Sequence, residues 1–569
     1  MASLTSPTDL SNERRVIGPP GCGKTTTISK WAADYVTRYG TPNAVSVMSL
    51  TKAAAARAAE AVKDVPESQI GTIHSMAYRS LDLNRNQVAE ANKQAIEQWN
   101  KDNAEFPLTA AGVEVDDFYT ENGRETDGDK AMALISRLRA MQLPESEWRS
   151  VGAAHGVSVV YFMKRWTEFK QANSLIDFTD MIELARENTY AAPGNPSVIM
   201  ADEAQDLSRL ELSLIRHWGK KEKGVDHLII VGDPDQNIFE WRGTEPRGFQ
   251  DPPLPPKYYH TLAQSYRVPE KIHAEAVRWI SQIKDRLKVE YHPRKDSTGS
   301  PVPGQVIVGG PSYKFPDELL QAVEKDIAQG KTVMVLASCG YMLDPFLKVL
   351  RRDGFPFHNP YRTKRGDWNP LGARRGTSTT ARVLAYCGVA EEDPPDWTWE
   401  EVRLWYEALA NVKVRGGEEI LKQYHPDAVA EPEQVLELLK ACGKTNEFHP
   451  ECDPGLVFNV AVKQFGWFRH HLSSQIQKAA QFPLDVVQFR GVKALKEPPK
   501  LIVGTIHSTK GGEAQCVYLM PDLSQPGFDH YGTKQGHAAT LRLFYVGMTR
   551  ASEKLVLCNQ AQPFAVGWR

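Results

Sequence analysis

One short glycine-rich segment near the start of this chain restricts its possible folds more than any other feature. The segment reads GPPGCGKT, and its residues are Gly18, Pro19, Pro20, Gly21, Cys22, Gly23, Lys24 and Thr25. It matches the pattern GxxxxGK[ST], which needs a strand before it and a helix after it. Residues 14–17 (RRVI) favour a strand and residues 26–33 (TTISKWAA) favour a helix. The segment therefore predicts an α/β domain built on a parallel sheet.

This loop also predicts a binding site for the phosphates of a nucleotide. Its glycines let backbone N–H groups turn toward phosphate oxygens, and the helix N-terminus adds partial positive charge. We expect Lys24 to reach the β- and γ-phosphates and the Thr25 hydroxyl to coordinate Mg²⁺. The loop residues, together with Thr26, are therefore candidate ATP-binding residues, with ATP and Mg²⁺ as the expected substrate and cofactor.

Two carboxylates after a second apolar run are expected to complete the site. Residues 198–201 (VIMA) precede Asp202 and Glu203. Because parallel strands end at the same edge of a sheet, these acids should lie beside the phosphate loop. Asp202 suits the Mg²⁺ shell, and Glu203 suits the base that orients or deprotonates the attacking water.

The composition limits the class of protein. A length of 569 residues predicts about three to five domains. Lys plus Arg number 68 and Asp plus Glu 70, so a surface for nucleic acid must be local. The seven cysteines lack CxxC spacing, which favours reduced thiols over a zinc or iron–sulfur site. The sequence has no signal peptide pattern and no membrane-spanning run, so we expect a cytoplasmic protein.

Further segments follow in an order that is typical of one family. Residues 202–206 (DEAQD) resemble the second motif of superfamily 1 DNA helicases of the UvrD/Rep/PcrA type. The other segments that resemble motifs of this family are 47–54 (VMSLTKAA), 71–78 (GTIHSMAY), 177–181 (DFTDM), 232–243 (GDPDQNIFEWRG), 264–267 (QSYR), 504–513 (GTIHSTKGGE) and 543–551 (LFYVGMTRA). Gly512 departs from the family pattern TxHxxKGLE, which has leucine there. The motifs extend over nearly the whole chain. The resemblance implies a short form of such a helicase, encoded by a bacterium or a phage and acting in a bacterial cell or phage-infected host.

The resemblance implies roles for five residues around the nucleotide. Gln236 would sense the γ-phosphate or the attacking water, although an exposed turn glutamine is the alternative interpretation. Tyr266 would stack on adenine, and Glu513 would contact the ribose. Arg267 and Arg550 would reach the γ-phosphate, where a planar guanidinium stabilises charge on the transferring phosphoryl group. The candidate catalytic residues are thus Lys24, Glu203, Gln236, Arg267 and Arg550.

The same resemblance implies a track for single-stranded DNA. Phe239 and Trp241 alternate directly after Gln236, and aromatic stacking is worth roughly 1–3 kcal/mol per base. Trp241 as an ordinary core aromatic is the alternative. The remaining candidate DNA-binding residues are His74, Tyr78, Arg242, His507 and Lys510.

Two features of the sequence leave alternatives open. Residues 361–376 (YRTKRGDWNPLGARRG) form the most basic aromatic patch, and either DNA or solvent is its expected neighbour. The family usually has an adenine-reading glutamine before the phosphate loop, whereas residues 1–23 contain none and Asn12 is the nearest amide. Nucleotides other than ATP are therefore candidate substrates.

The fold implied by the resemblance is α/β, with two RecA-like parallel-sheet P-loop domains and two mainly helical inserted subdomains. We predict the first RecA-like domain at 1–81 and 175–260, with an insertion at 82–174. The second RecA-like domain is predicted at 261–365 and 490–569, with an insertion at 366–489.

The function implied is an ATP-dependent helicase that moves 3′ to 5′ on single-stranded DNA and unwinds duplex. Expected partners are single-stranded DNA, junctions of single- and double-stranded DNA, and replication or repair proteins. A translocase that remodels protein–DNA complexes with little unwinding is the main alternative. A helicase–nuclease is disfavoured because the chain ends soon after Arg550, and intact motifs disfavour a non-enzymatic binding protein. No motif excludes RNA.

Overall fold

A computed structural model describes residues 12–50, 55, 59–60, 62–109, 126–363, 365–388, 397–410, 417–441 and 465–568. Its strands are β1 (Glu13–Ile17), β2 (Val45–Ser49), β3 (Ile70–Thr72), β4 (Val198–Ala201), β5 (His227–Gly232), β6 (Tyr259–Thr261), β7 (Gln305–Gly310), β8 (Val333–Ala337), β9 (Phe357–His358), β10 (Leu501–Thr505), β11 (Ala514–Leu519) and β12 (Ala551–Cys558). They form two six-stranded sheets.

Every strand pair within these sheets is parallel, so the predicted α/β class with two parallel sheets is confirmed. The first sheet has the order β3-β2-β4-β5-β1-β6, and the second has the order β7-β12-β11-β8-β10-β9. The central strands are apolar on both faces because helices cover both, as parallel sheets require. The carboxyl ends of β1, β4 and β5 lie at one edge of the first sheet, which places three of the predicted motifs together.

Helices fill the remaining layers. Those among the first six strands are Lys24–Tyr39, Ile73–Ser80, Lys93–Asp102, Asp127–Ala140, Glu145–Ala154, Val159–Ala172, Phe178–Asn188 and Arg209–Trp218. Those that follow are Glu270–Ile280, Pro316–Ala328, Asp344–Arg352, Thr379–Cys387, Trp399–Tyr406, Gly417–Leu421, Pro432–Ala441, Phe465–His471, Ser474–Arg490, Val492–Lys496, Gln525–Tyr531 and Lys534–Met548. Within the described ranges, none of these helices has the length and apolarity that crossing a bilayer requires.

Two apolar clusters pack against the first sheet, and one of them also reaches the second sheet. One cluster packs the helix Lys24–Tyr39 on one face of the first sheet. A second cluster runs from the other face of the first sheet, through Phe239 and Trp279, to one face of the second sheet. Trp279 also donates its indole N–H to the carbonyl of Leu541 at 3.0 Å. The two sheets are therefore connected by a continuous core rather than by a thin linker.

Separate cores support the helices between the strands. Within the described part of 82–174, the helices pack around Trp99, Phe162 and Trp166. The helices between β9 and β10 share a core with the second sheet, which includes a ring of buried aromatic residues around Tyr386. The exact domain limits given above stay predictions.

Candidate nucleotide site and strand interface

The phosphate loop joins β1 to the helix Lys24–Tyr39, as its sequence predicts. Gly21 and Gly23 both have φ of 73°, in the left-handed region that favours glycine. A Cβ at Gly21 would lie 2.6 Å from Cβ of Arg267, so the loop passes directly against that later motif. The side chain of Lys24 follows the loop, and its Nζ donates to the Gly18 carbonyl at 2.9 Å.

The two predicted carboxylates lie at the carboxyl end of β4, beside the loop. The Thr25 hydroxyl donates to Oδ2 of Asp202 at 3.4 Å. These two oxygen ligands suit Mg²⁺, which typically takes one or two protein oxygens together with phosphate oxygens and water. Glu203 has φ 52° and ψ 41°, a left-handed conformation that is uncommon for a residue with a side chain. Its backbone is held there by a bond from its N–H to Oδ1 of Asp202 at 2.9 Å.

A chain of hydrogen bonds runs from Glu203 to the second sheet. Gln205 donates from Nε2 to Glu203 at 2.7 Å and accepts from the N–H of Asp233 at 2.9 Å. Gln236 donates from Nε2 to Asp233 at 2.7 Å. Arg550 then donates from Nη2 to the amide oxygen of Gln236 at 3.2 Å. Gln236 is thus buried and not an exposed turn residue.

This series of hydrogen bonds includes one residue, Gln205, that the sequence did not single out as a site residue. Gln205 is fully buried and connects the carboxylate of Glu203 to the turn that carries Gln236. Its place within DEAQD was the available signal, because a polar residue directly after two site carboxylates is itself a site candidate. Burial raises the pKa of Asp233 in this network, while the nearby Lys24 opposes that shift.

Two residues of the 264–267 motif line the loop from the other side. Tyr266 donates its N–H to the Gly21 carbonyl at 2.8 Å, and its ring lies against Gly23. The ring is 71% exposed, so a face is available for stacking on a base. Arg267 pairs through Nε with the carboxylate of Glu513, which brings the predicted phosphate and ribose contacts together. Arg550 is only 1% exposed and also donates to the carbonyls of Val546 and Gly512.

Lys510 lies in a buried ion pair, and its contact with DNA stays a prediction. Its Nζ lies 2.5 Å from Asp206, forms a second bond with that carboxylate at 2.7 Å, and donates to the Gln236 carbonyl at 2.6 Å. The Lys510 side chain is 10% exposed and that of Asp206 is 4% exposed. Burial raises the pKa of Asp206 to about 7, and Lys510 opposes that shift. A contact between Lys510 and DNA would therefore require this buried pair to separate.

Two further ion pairs link the 235–240 segment to later parts of the chain. Arg542 donates to Glu240 at 3.0 Å, and Arg286 pairs with Asp235 at 2.5 Å. Burial raises the pKa of both carboxyl groups, to about 6 for Asp235. We call Asp235, Gln236 and Glu240 the sensor segment. Their side chains meet three arginines, namely Arg286 after β6, Arg542 on the helix Lys534–Met548 and Arg550 directly before β12.

The predicted stacking residues differ from one another in exposure. Phe239 is 3% exposed and packs in the core that joins the sheets, so strand stacking by Phe239 would require its ring to emerge. Trp241 is only partly buried, at 6.0 Å from the Phe239 ring. Arg242 is also partly buried, with its guanidinium 6.0 Å from that ring. His507 contacts the carbonyl of Ile238 at 3.1 Å and lies 6.0 Å from the Phe239 ring.

The remaining predicted strand contacts lie on the helix Ile73–Ser80. His74 is partly buried against the ring of Phe178, at 5.8 Å, and lies 3.7 Å from Glu211. Burial lowers the pKa of His74, so the ring is neutral at pH 7. Tyr78 is partly buried at the margin of the core. Residues 51–54 of the 47–54 motif lie outside the described residues.

Asn12 and part of the basic patch make structural contacts. Asn12 donates to the carbonyls of Gly219 and Val225, at 2.9 and 2.7 Å, beside the amino end of β1. It therefore lies at the opposite end of the strand from the phosphate loop. In the patch 361–376, Trp368 is 1% exposed and the Arg365 guanidinium covers its ring at 3.9 Å. Lys364 lies outside the described residues.

Two parallel sheets meet at a phosphate loop, an acidic pair and an arginine that directly precedes β12, an arrangement typical of the P-loop NTPase class. Comparison with known proteins narrows this class. The UvrD/REP helicase N-terminal domain model matches residues 4–252, and the UvrD-like helicase C-terminal domain model matches residues 500–558. Together they cover more than half of the chain, which belongs to the UvrD/Rep helicase family.

Individual relatives are distant. The chain is 24% identical over 258 residues to a probable DNA helicase II homolog of Mycoplasma capricolum, covering 42% of this chain and 35% of that protein. It is 25% identical over 187 residues to the ATP-dependent DNA helicase PcrA of Staphylococcus epidermidis, covering 31% and 24%. It is 23% identical over 326 residues to the putative ATP-dependent DNA helicase YjcD of Bacillus subtilis, covering 52% and 40%. The matched parts span between about a quarter and two fifths of these relatives.

Proposed function

We propose that this chain hydrolyses ATP with Mg²⁺ and uses the energy to move 3′ to 5′ along single-stranded DNA and to unwind duplex. The observation that carries the proposal is the hydrogen-bonded chain from Glu203 to Arg550. It connects the candidate base of the first sheet to a buried arginine of the second sheet through Gln236. A change at the γ-phosphate would thereby reach both sheets.

The residues divide the chemistry among them. The loop N–H groups and Lys24 would hold the phosphates, and Glu203 would orient or deprotonate the attacking water. Thr25 and Asp202 would hold Mg²⁺, which neutralises charge on the β- and γ-phosphate oxygens when bound. Arg267 and Arg550 would stabilise the charge that develops on the transferring phosphoryl group. Tyr266, whose ring face is exposed beside Gly23, would stack on the base, with Glu513 at the ribose.

Coupling to DNA follows from the position of Trp241. It lies five residues beyond Gln236 and beside Phe239, within the same short segment as the γ-phosphate sensor. The turn at Gly243 also packs on the helix Asp127–Ala140, where a Cβ would lie 2.8 Å from Cγ of Met141. Movement of the sensor would therefore move a stacking platform and the first helical insertion together. The names of the relatives support DNA as the substrate.

The decisive experiment compares ATP turnover with strand movement. We expect ATPase activity to rise with added single-stranded DNA, and Arg550→Ala to lower kcat by roughly a thousandfold. Arg38→Ala, at an exposed arginine near the end of the helix Lys24–Tyr39, is the matched arginine control. ATPase activity that does not respond to single-stranded DNA would refute the motor.

Polarity and unwinding need a second assay. Partial duplexes with a 3′ or a 5′ tail should be separated only from the 3′ tail. Displacement of streptavidin from biotinylated strand ends without duplex separation would identify the translocase alternative. RNA substrates of the same sequence test the choice of nucleic acid. We also propose action in the cytoplasm, with replication or repair proteins as partners that pull-down from host lysate would identify.

A further inference from the structure

Gly512, the position that departs from the family pattern, is a glycine for reasons of space. It follows Gly511, whose φ of 83° requires glycine for the backbone alone. Gly512 does not share that left-handed conformation. A Cβ at Gly512 would instead lie 2.3 Å from the hydroxyl oxygen of Tyr361 and 2.5 Å from its Cζ. The ring of Tyr361 thus occupies the space that a side chain at position 512 would fill.

Tyr361 is held in place by its neighbour Asn359. The Tyr361 N–H donates to Oδ1 of Asn359 at 3.1 Å. Asn359 is fully buried and donates from Nδ2 to the Val503 carbonyl at 3.0 Å and to the Ser508 hydroxyl at 3.2 Å. The segment 359–361 therefore contacts the turn between β10 and β11 at two places. Asn359 bonds to Ser508 near the start of the turn, and Tyr361 packs on Gly512 near its end.

This turn carries groups that orient two candidate catalytic arginines. The Gly512 carbonyl accepts a bond from Nη1 of Arg550 at 3.1 Å. The next residue, Glu513, pairs with Arg267. A displacement of the turn at position 512 would hence move both arginines relative to the phosphate loop. Misplacement of a reacting group by about 1 Å can cost roughly a hundredfold in rate.

We propose that Tyr361 is a positioning residue for nucleotide hydrolysis: its ring packs on Gly512 and thereby fixes the turn that orients Arg550 and Arg267. This inference rests on the proposed function and concerns the same site. It also accounts for the departure at Gly512, because the bulk that leucine supplies in the family pattern comes here from a distant part of the chain. Tyr361 then belongs to the nucleotide site, although it begins the basic patch.

The test is a double-mutant cycle between positions 361 and 512. Gly512→Leu forces a clash with the Tyr361 ring, Tyr361→Ala opens a gap, and the double variant with both changes restores bulk from the other side. Each single variant should lower kcat for DNA-free ATP hydrolysis by roughly ten- to a hundredfold. The double variant should return to within about threefold of wild type, since contacting residues couple. Tyr361→Phe keeps the ring and should match wild type within about twofold.

Controls separate this role from folding and from DNA binding. Tyr190→Ala, at a 68% exposed tyrosine, should leave kcat, KM and the melting midpoint unchanged. Single-strand affinity is measured for every variant. Additive losses in the double variant would overturn the proposal, and so would a Tyr361→Ala variant that loses only DNA affinity. If a single variant does not fold, Tyr361→Leu against Tyr361→Phe gives the same comparison.

Failure of the proposed function is distinguishable. A wild-type protein that shows no DNA-stimulated turnover refutes the motor, but the cycle can still be read from binding of a fluorescent ATP analogue. That binding should weaken in the single variants and recover in the double variant, because Arg267 and Glu513 border the nucleotide site. Where DNA-free turnover is also absent, equal affinity in all four proteins would overturn the positioning role.

Discussion

The pair between Lys510 and Asp206 offers the sharpest separation of a structural from a DNA-binding role. Lys510→Met keeps most of the side-chain volume but removes the charge that faces the buried carboxylate. Breaking a buried ion pair by removing one partner typically costs about 3–5 kcal/mol. That cost applies here above pH 7, where the Asp206 carboxylate would be left without its countercharge. We therefore expect Lys510→Met to lower the melting midpoint and to impair ATP hydrolysis even without DNA.

The pH dependence of this loss follows from the pKa of Asp206. The folded-state value of about 7 lies above the ordinary value of 3.8, so the stability contributed by this group is full below about 4 and is lost as pH rises through 7. Removal of Lys510 raises the folded-state pKa further, because Lys510 opposes the effect of burial. Below pH 7 the carboxyl group is protonated in both proteins. Above pH 7 the penalty of the variant should grow by up to about 1.4 kcal/mol per pH unit.

The assay is thermal unfolding from pH 5.5 to 8.5, alongside DNA-free ATPase activity and single-strand affinity. Asp206→Asn in the Lys510→Met background removes the titrating group, so the double variant should show no such growth with pH. A Lys510→Met protein with normal stability and normal DNA-free turnover, but with weakened strand binding, would refute the reasoning. It would restore the contact with DNA that the motif resemblance implies.

Three further predictions concern other parts of the fold. Asn12→Ala should lower the free energy of unfolding by about 2 kcal/mol, because two buried carbonyls lose their donor. It should leave the ratio of ATP to GTP turnover unchanged. Melting curves check the first expectation, and hydrolysis of four nucleotides checks the second. Burial raises the pKa of Glu90 to about 8, so the stability that this group contributes is lost as pH rises through 8. The Glu90→Gln variant does not titrate, so thermal unfolding should show its stability rising by roughly 1–2 kcal/mol relative to wild type between pH 7 and 9. Phe239→Ala should cost about 3–5 kcal/mol of stability, whereas Trp241→Ala should weaken single-strand binding, measured by anisotropy, by roughly 1–3 kcal/mol; the reverse pattern would contradict the assignment.

Local patterns in the sequence predicted much of this fold correctly. The apolar run 198–201 is β4 to the residue, because continuous apolar runs mark strands that are buried on both faces, and residues 14–17 fall within β1. The helix predicted at residues 26–33 lies within the helix Lys24–Tyr39. The phosphate loop and the acidic pair could be placed together, because strand ends share one edge of a sheet.

Contacts between distant segments could not be predicted in this way. Lys510 has the same local signature whether it faces a phosphate or Asp206, since a motif specifies residue type and not the partner. Phe239 has the alternation of a stacking residue, yet the core that joins the sheets covers it. The contact between Tyr361 and Gly512 leaves no periodic pattern in the sequence, because it depends on how the turn after β10 packs against a loop of another segment.

The sensor segment has a consequence for how the two sheets would separate. Asp235, Gln236 and Glu240 lie within six residues, and each holds a different arginine from a later part of the chain. Arginine contacts that are spread along an interface could break one after another. Arginine contacts on one short segment should break together, because the segment moves as a unit. Opening of the cleft between the sheets should therefore be concerted, with one barrier and no half-open intermediate. A labelled pair across the cleft should then report two distance states in single-molecule traces.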